Sequence, residues 1–167
     1  MATSGKLKVN VCEARLERDT EWMGKMDPYC KITHRMQNLR TKEHTDGGKN
    51  PVWNEHLEID VKYVGDDIEI AIYDAEVLGS DKLIGNVICK ASGLTVNGGL
   101  DDWWQITHKG VNMGKIHLIC KWEPAGGQPA AQQPPQQQMP PQQQMMPPQQ
   151  MMQQPMMQQP MMQQPMM

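Results

Sequence analysis

The chain has 167 residues, a net charge of −3 and no phenylalanine, and every Lys, Arg, Asp and Glu lies at or before Glu123. Domains most often hold about 100 to 150 residues, so this distribution marks one folded unit over residues 5–123 and an uncharged extension over 124–167 that cannot serve as a globular surface. The acidic balance excludes nonspecific nucleic-acid binding, which needs basic surface to displace counterions from phosphates.

Leu7, Val9 and Val11 alternate with polar residues, the period of a half-buried strand. Similar short runs recur near 28–34, 39–44, 53–61, 67–73, 83–90, 102–107 and 115–122. Turn chemistry separates several of them: DGGKNP at 46–51, VGDD at 64–67 and NGG at 97–99. Eight short strands without a helical period predict an all-β antiparallel sandwich. Trp53 and one of Trp103 and Trp104 are expected in its core. Cys12, Cys30, Cys89 and Cys120 each fall in an apolar run with no CxxC spacing, which reads as small buried hydrophobes.

The extension is a different material, with 17 Gln, 11 Pro and 11 Met among its 44 residues and a closing MMQQP repeat. Pro blocks helix and ladder bonds and Gln contributes little burial, so this composition predicts a disordered low-complexity tail. Repeated Met pairs offer many weak, polarizable contacts, suited to self-association or to attachment to other proteins. The opening residues, MATSGKLK, carry no apolar signal core, and no stretch approaches the roughly 20 apolar residues of a membrane span, so a cytoplasmic protein is expected.

Charge is unevenly placed within the folded unit. Pro28–Pro51 holds five Lys or Arg against two acids, whereas Trp53–Glu76 holds eight acids against one Lys. Hard divalent cations need six to eight oxygens at about 2.3 to 2.6 Å, a demand met by carboxylates converging from separate loops. If the loop after the first strand and the loop after the fifth emerge at one end of the sandwich, Glu21, Asp27, Asp74 and Glu76 face a common cup.

At these residues the chain resembles the C2-domain family: GKLKVNV, EWMGKMDPYCKI, RTKEHTDGGKNPVWNE, IYDAEVLGSDKLIG and the closing GKIHLICKWEP follow one another in family order. The likeness covers 5–123 and is nearest to the small single-domain C2 proteins of plants described as elicitor-responsive. It implies an eight-stranded antiparallel β-sandwich in the permuted, type II strand order, because the first acidic loop follows the very first strand. It also implies calcium as cofactor. Asp27 and Asp74 match the family's aspartates, while Glu21 and Glu76 stand where the family has Asp. At the fifth position the chain has Lys82, with Asp81 one place early as the remaining candidate ligand, and this substitution predicts weak calcium affinity.

The resemblance further implies that Trp22 and Met23 in the first acidic loop, and Val77 and Leu78 in the second, meet a bilayer surface. Lys31, Arg40 and Lys42 resemble the basic groove with which some family members hold acidic phosphoinositides. The sequence contains no HExxH, GxSxG, Walker-type loop or kinase signature, so no enzyme is expected. The implied function is calcium-dependent binding to anionic phospholipid membranes, as a peripheral module on their cytosolic face. The alternative is a calcium-independent adaptor that uses fold and tail for protein contacts.

Overall fold

The structure, a computed structural model, describes residues 3–19 and 25–126. Eight antiparallel strands form the fold: β1 (Gly5–Leu16), β2 (Pro28–His34), β3 (Gln37–Arg40), β4 (Val52–Val61), β5 (Asp67–Asp74), β6 (Lys82–Lys90), β7 (Gly99–His108) and β8 (Val111–Pro124). Their order is β3-β2-β5-β6-β7-β8-β1-β4. β6 and β7 share a single pair, Asn86 with Thr107, so the sheet folds there into two four-stranded layers. β1 lies inside one layer between β4 and the closing strand β8, as the permuted order requires.

The alternation visible in the sequence is the packing rule. Leu7, Val9 and Val11 from β1, Ile59 from β4, Leu118 and Cys120 from β8, and Ile32, Ile70, Ile72 and Ile84 from the other layer form one buried cluster. A bulge between Val11 and Glu13 then shifts the phase of β1. Ala14 and Leu16 are buried while Glu13 and Arg15 turn outward, the reverse of what the first half of the strand would continue. Close by, Gly114 pairs with Leu16 at a φ of 117°, where a Cβ would collide with the Arg15 carbonyl oxygen.

Two local features depart from the sequence-based expectations. The third strand ends at Arg40 and does not run to 44. Thr41 explains this, because its hydroxyl accepts the Cys30 N–H (3.0 Å) and donates to the Lys42 carbonyl (2.9 Å), drawing the chain out of the ladder. A one-turn helix, α1 (Ala91–Leu94), follows β6 and buries Ala91 and Leu94; four residues are too few to show a helical period. At the opposite margin the Gln37 side chain donates to the Asp60 carbonyl (2.7 Å) and accepts the Asp60 N–H (2.9 Å), imitating a backbone ladder that ties β3 to β4.

Trp53 lies partly buried against the core and donates its indole N–H to the Pro28 carbonyl at 2.9 Å. Of the two adjacent tryptophans, Trp104 packs on the core and Trp103 faces outward. All four cysteines are thiols, three of them buried, and burial pushes each above its ordinary value, Cys89 to about 11 and Cys120 to about 12. Low thiolate content makes them packing residues. The 127–167 part of the tail lies outside the described residues, and no described helix is long and apolar enough to cross a membrane.

Candidate functional site

Strand pairing decides which acids meet. Pro28 stands directly opposite Asp74 in the β2–β5 ladder, so the segment ending the first acidic loop and the segment opening the second emerge side by side. Asp27 donates its backbone N–H to Asp74 Oδ1 at 2.8 Å, and the Ala75 N–H returns to the Asp27 carbonyl at 3.2 Å. A third loop joins them, because the Asp46 N–H reaches Asp27 Oδ1 at 2.6 Å and the Gly48 N–H reaches the Met26 carbonyl at 3.0 Å. Asp74 is only 1% exposed and Asp27 is half-buried, and the structure places the two side by side. Glu21, Trp22 and Met23 lie outside the described residues.

Glu76 and Asp81 take different partners. Lys82 opposes Asp74 across the β5–β6 ladder, and its Nζ lies 2.6 Å from Glu76 Oε1. The residue standing at the fifth acidic position of the family pattern therefore places a positive charge on one of the candidate ligands. Asp81 points the other way: Oδ2 accepts the Tyr29 hydroxyl at 2.7 Å and Oδ1 accepts the Glu76 N–H at 3.1 Å. These bonds, led by that of Tyr29, hold the Asp81 carboxyl below its ordinary range. Burial, reinforced by the bond to Asp81, pushes the Tyr29 phenol up to about 12. Tyr29 also stacks on Tyr73 (5.6 Å, 16°) and carries the Arg40 guanidinium 4.7 Å from its ring centroid. Nothing in the spacing of MDPYC announced Tyr29 as a member of this loop network; its partner is set by the β2–β5 register.

Calcium asks for six to eight oxygens. Among the described residues no three His, Cys, Asp or Glu side chains are grouped to hold a metal ion. Asp27 and Asp74 converge, but each already accepts a backbone N–H, Glu76 has a lysine against it, and Asp81 is turned to Tyr29. The described residues therefore do not by themselves fit a complete calcium site.

Val77 and Leu78, in the 75–81 loop, are 94% and 89% exposed. Lys31 and Arg40 face each other across the β2–β3 ladder, as their spacing suggests. Lys42 lies past the end of β3, where its N–H is held by Glu55 Oε1 at 2.8 Å.

On the outer face of the other layer, at the same end, stands a group that the sequence reading left without a role. The Trp103 ring carries the Arg15 guanidinium at 5.0 Å and the Lys115 ammonium at 4.9 Å, and His117 stacks on it at 5.0 Å and 15°. His117 Nε2 is in turn 2.6 Å from Asp101 Oδ1.

The comparisons with known proteins agree with this architecture. Synaptotagmin-4 of Arabidopsis thaliana is 32% identical over 132 residues, which is 73% of this chain and 23% of that protein. The chain thus spans under a quarter of that relative's length. The solved structure of a C2 domain-containing protein from a putative elicitor-responsive gene superposes with a TM-score of 0.64 at 22% identity, covering 77% of this chain and 95% of the other, a likeness of fold. The C2A and C2B domains of Extended-Synaptotagmin 2, described as calcium bound, give a TM-score of 0.61 at 28% identity over 72% of this chain and 46% of that one. The profile of the C2 domain matches residues 5–106, more than half of the sequence, and the chain belongs to the C2 domain family.

Proposed function

We propose that this chain is a peripheral binding module, without catalytic activity, for anionic phospholipid surfaces, engaged through the loop end of its sandwich. The observation that carries this reading is the exposure of Val77 and Leu78 in the 75–81 loop. Two adjacent aliphatic side chains so exposed gain by entering the acyl boundary of a bilayer. Lys31, Arg40 and Lys42 add positive charge, and each base held near an anionic leaflet contributes about 1 kcal/mol. A bilayer leaflet exposed to the cytosol is the surface of matching charge.

Calcium enters this reading as a weak competitor. Asp27, Asp74 and Glu76 are its candidate ligands together with Glu21, which lies outside the described residues, and it reaches Glu76 only by displacing Lys82. The expected affinity is therefore in the high micromolar range or weaker. The same ion pair favours the second reading, a calcium-independent adaptor. Sedimentation with phosphatidylcholine vesicles, with and without phosphatidylserine, in calcium or chelator separates the two. Binding that requires phosphatidylserine and strengthens with calcium supports the membrane reading. Indifference to both lipid and calcium replaces it with the adaptor.

A further inference from the structure

The outer face of the β1–β8–β7 layer carries a second charged group, distinct from the acidic residues of the loops. Arg15 stands directly opposite Lys115 in the β1–β8 ladder, an arrangement in which paired strands hold two like charges about 5 Å apart at Cβ. Like charges in such a pair repel, and a sheet ordinarily relieves them with a carboxylate. Here the nearby carboxylates are otherwise placed: Asp101 is on His117, and Glu13 stands opposite His117 rather than opposite either cation. Neither Arg15 nor Lys115 has an ion-pair partner among the described residues.

What the two cations share is the Trp103 ring. Both heads lie about 5 Å from the centroid of one indole, so the planar guanidinium fork and the ammonium are gathered around a single ring. The ring itself is braced, because Trp103 opposes His117 in the β7–β8 ladder, stacks on its imidazole, and Asp101 anchors that imidazole at 2.6 Å. All the residues of the group stand on paired strands of one sheet, so its backbone is held by ladder bonds. Arg15 is the penultimate residue of β1, just before the first acidic loop, which puts the group on the flank of the loop end.

We propose that Arg15, Lys115 and Trp103 form a binding site for a phosphate-type oxyanion. Such an anion accepts two parallel hydrogen bonds from the guanidinium fork and one from the ammonium, and removes the repulsion between them. The phosphate belongs either to a lipid headgroup met on the flank of the loop end or to a dissolved phosphate ester.

The test uses the full chain, with the Trp103 indole N–H resonance assigned by Trp103→Phe and followed on titration with sodium phosphate. Sodium chloride at matched ionic strength is the control. A saturable shift in phosphate, weakened tenfold or more in the Arg15→Gln, Lys115→Gln double variant, is expected. The same shift in chloride, no saturation, or an unchanged affinity in a double variant of native circular dichroism overturns the site. Phosphatidylcholine vesicles with and without phosphatidic acid then identify the source: competition by phosphatidic acid assigns the lipid headgroup, and saturation by phosphate without competition assigns the dissolved ester. The phosphate arm is independent of membrane attachment, so vesicles that fail to bind while the indole still shifts remove the membrane reading and leave this site standing.

Discussion

Lys82 holds Glu76 at 2.6 Å in the loop where the C2 pattern has a further acid, so the chain brings its own cation to the edge of its acidic cup. An ammonium supplies one charge and donates hydrogen bonds, whereas calcium supplies two charges and demands a shell of oxygens. Under the proposed reading, calcium must compete with this ammonium for Glu76.

Replacing that cation by a ligand reverses the balance. Lys82→Asp removes one positive charge and adds one negative at the site, and calcium affinity is expected to rise by roughly tenfold or more. Asp74→Asn keeps size and an acceptor for the Asp27 N–H while removing charge, and is expected to lower affinity. Calorimetric titration of both variants, with circular dichroism to confirm the fold, checks the pair. Unchanged affinity in both would show that these loops hold no metal.

The apolar tip answers to a different measurement. Val77→Ser with Leu78→Ser removes side chains that touch solvent in the isolated chain, so the melting temperature is expected to stay within the error of a surface substitution. Vesicle sedimentation on anionic lipid is expected to fall severalfold. Equal binding by the variant would move the membrane contact away from this loop.

Tyr29 makes the loop network sensitive to alkali. Its phenol is raised to about 12, so the stability it contributes is fully present below the unfolded value of about 10 and is lost as pH rises through 12. Absorbance at the phenolate band should show a tyrosine titrating late. In Tyr29→Phe that late step disappears and the Asp81 carboxyl, followed by carbon-detected NMR, moves up toward its ordinary value. An unmoved Asp81 would mean that the 2.7 Å bond does not persist in solution.

Gly114 is a backbone test of the β1–β8 ladder. Gly114→Ala sets a Cβ against the Arg15 carbonyl at a φ of 117°, and a loss of roughly 1 to 3 kcal/mol is expected in urea denaturation. A neutral result would contradict the close approach of the two strands beside the Arg15 and Lys115 pair.

The composition beyond Glu123 carries its own prediction. β8 runs to Pro124, and the Ala125 N–H still bonds the Ser4 carbonyl at 2.8 Å, so a protease is expected to leave a stable fragment ending close to this point. Mass spectrometry of the digest locates the end. Survival of an intact chain under the same digestion would refute the boundary.

Much of the fold was legible in the residues themselves. Alternation at Leu7, Val9 and Val11 and turn clusters such as DGGKNP are local signals, and each is enough to place a strand or a turn. The candidate acids Asp27 and Asp74 were legible for the same reason, since a carboxylate beside a turn is visible one residue at a time. What the tertiary structure alone decided is partnership. The Cys12 bulge inverts β1 and sends Arg15 outward toward Trp103, against the alternation that precedes it. Register places Lys82 across from Asp74 and beside Glu76, and turns Asp81 to Tyr29 instead of to the cup. Period and composition act within one strand or turn, whereas Arg15 meets Trp103 and Asp81 meets Tyr29 from segments dozens of residues apart, and all these partners depend on ladder register, where one residue of slippage exchanges them.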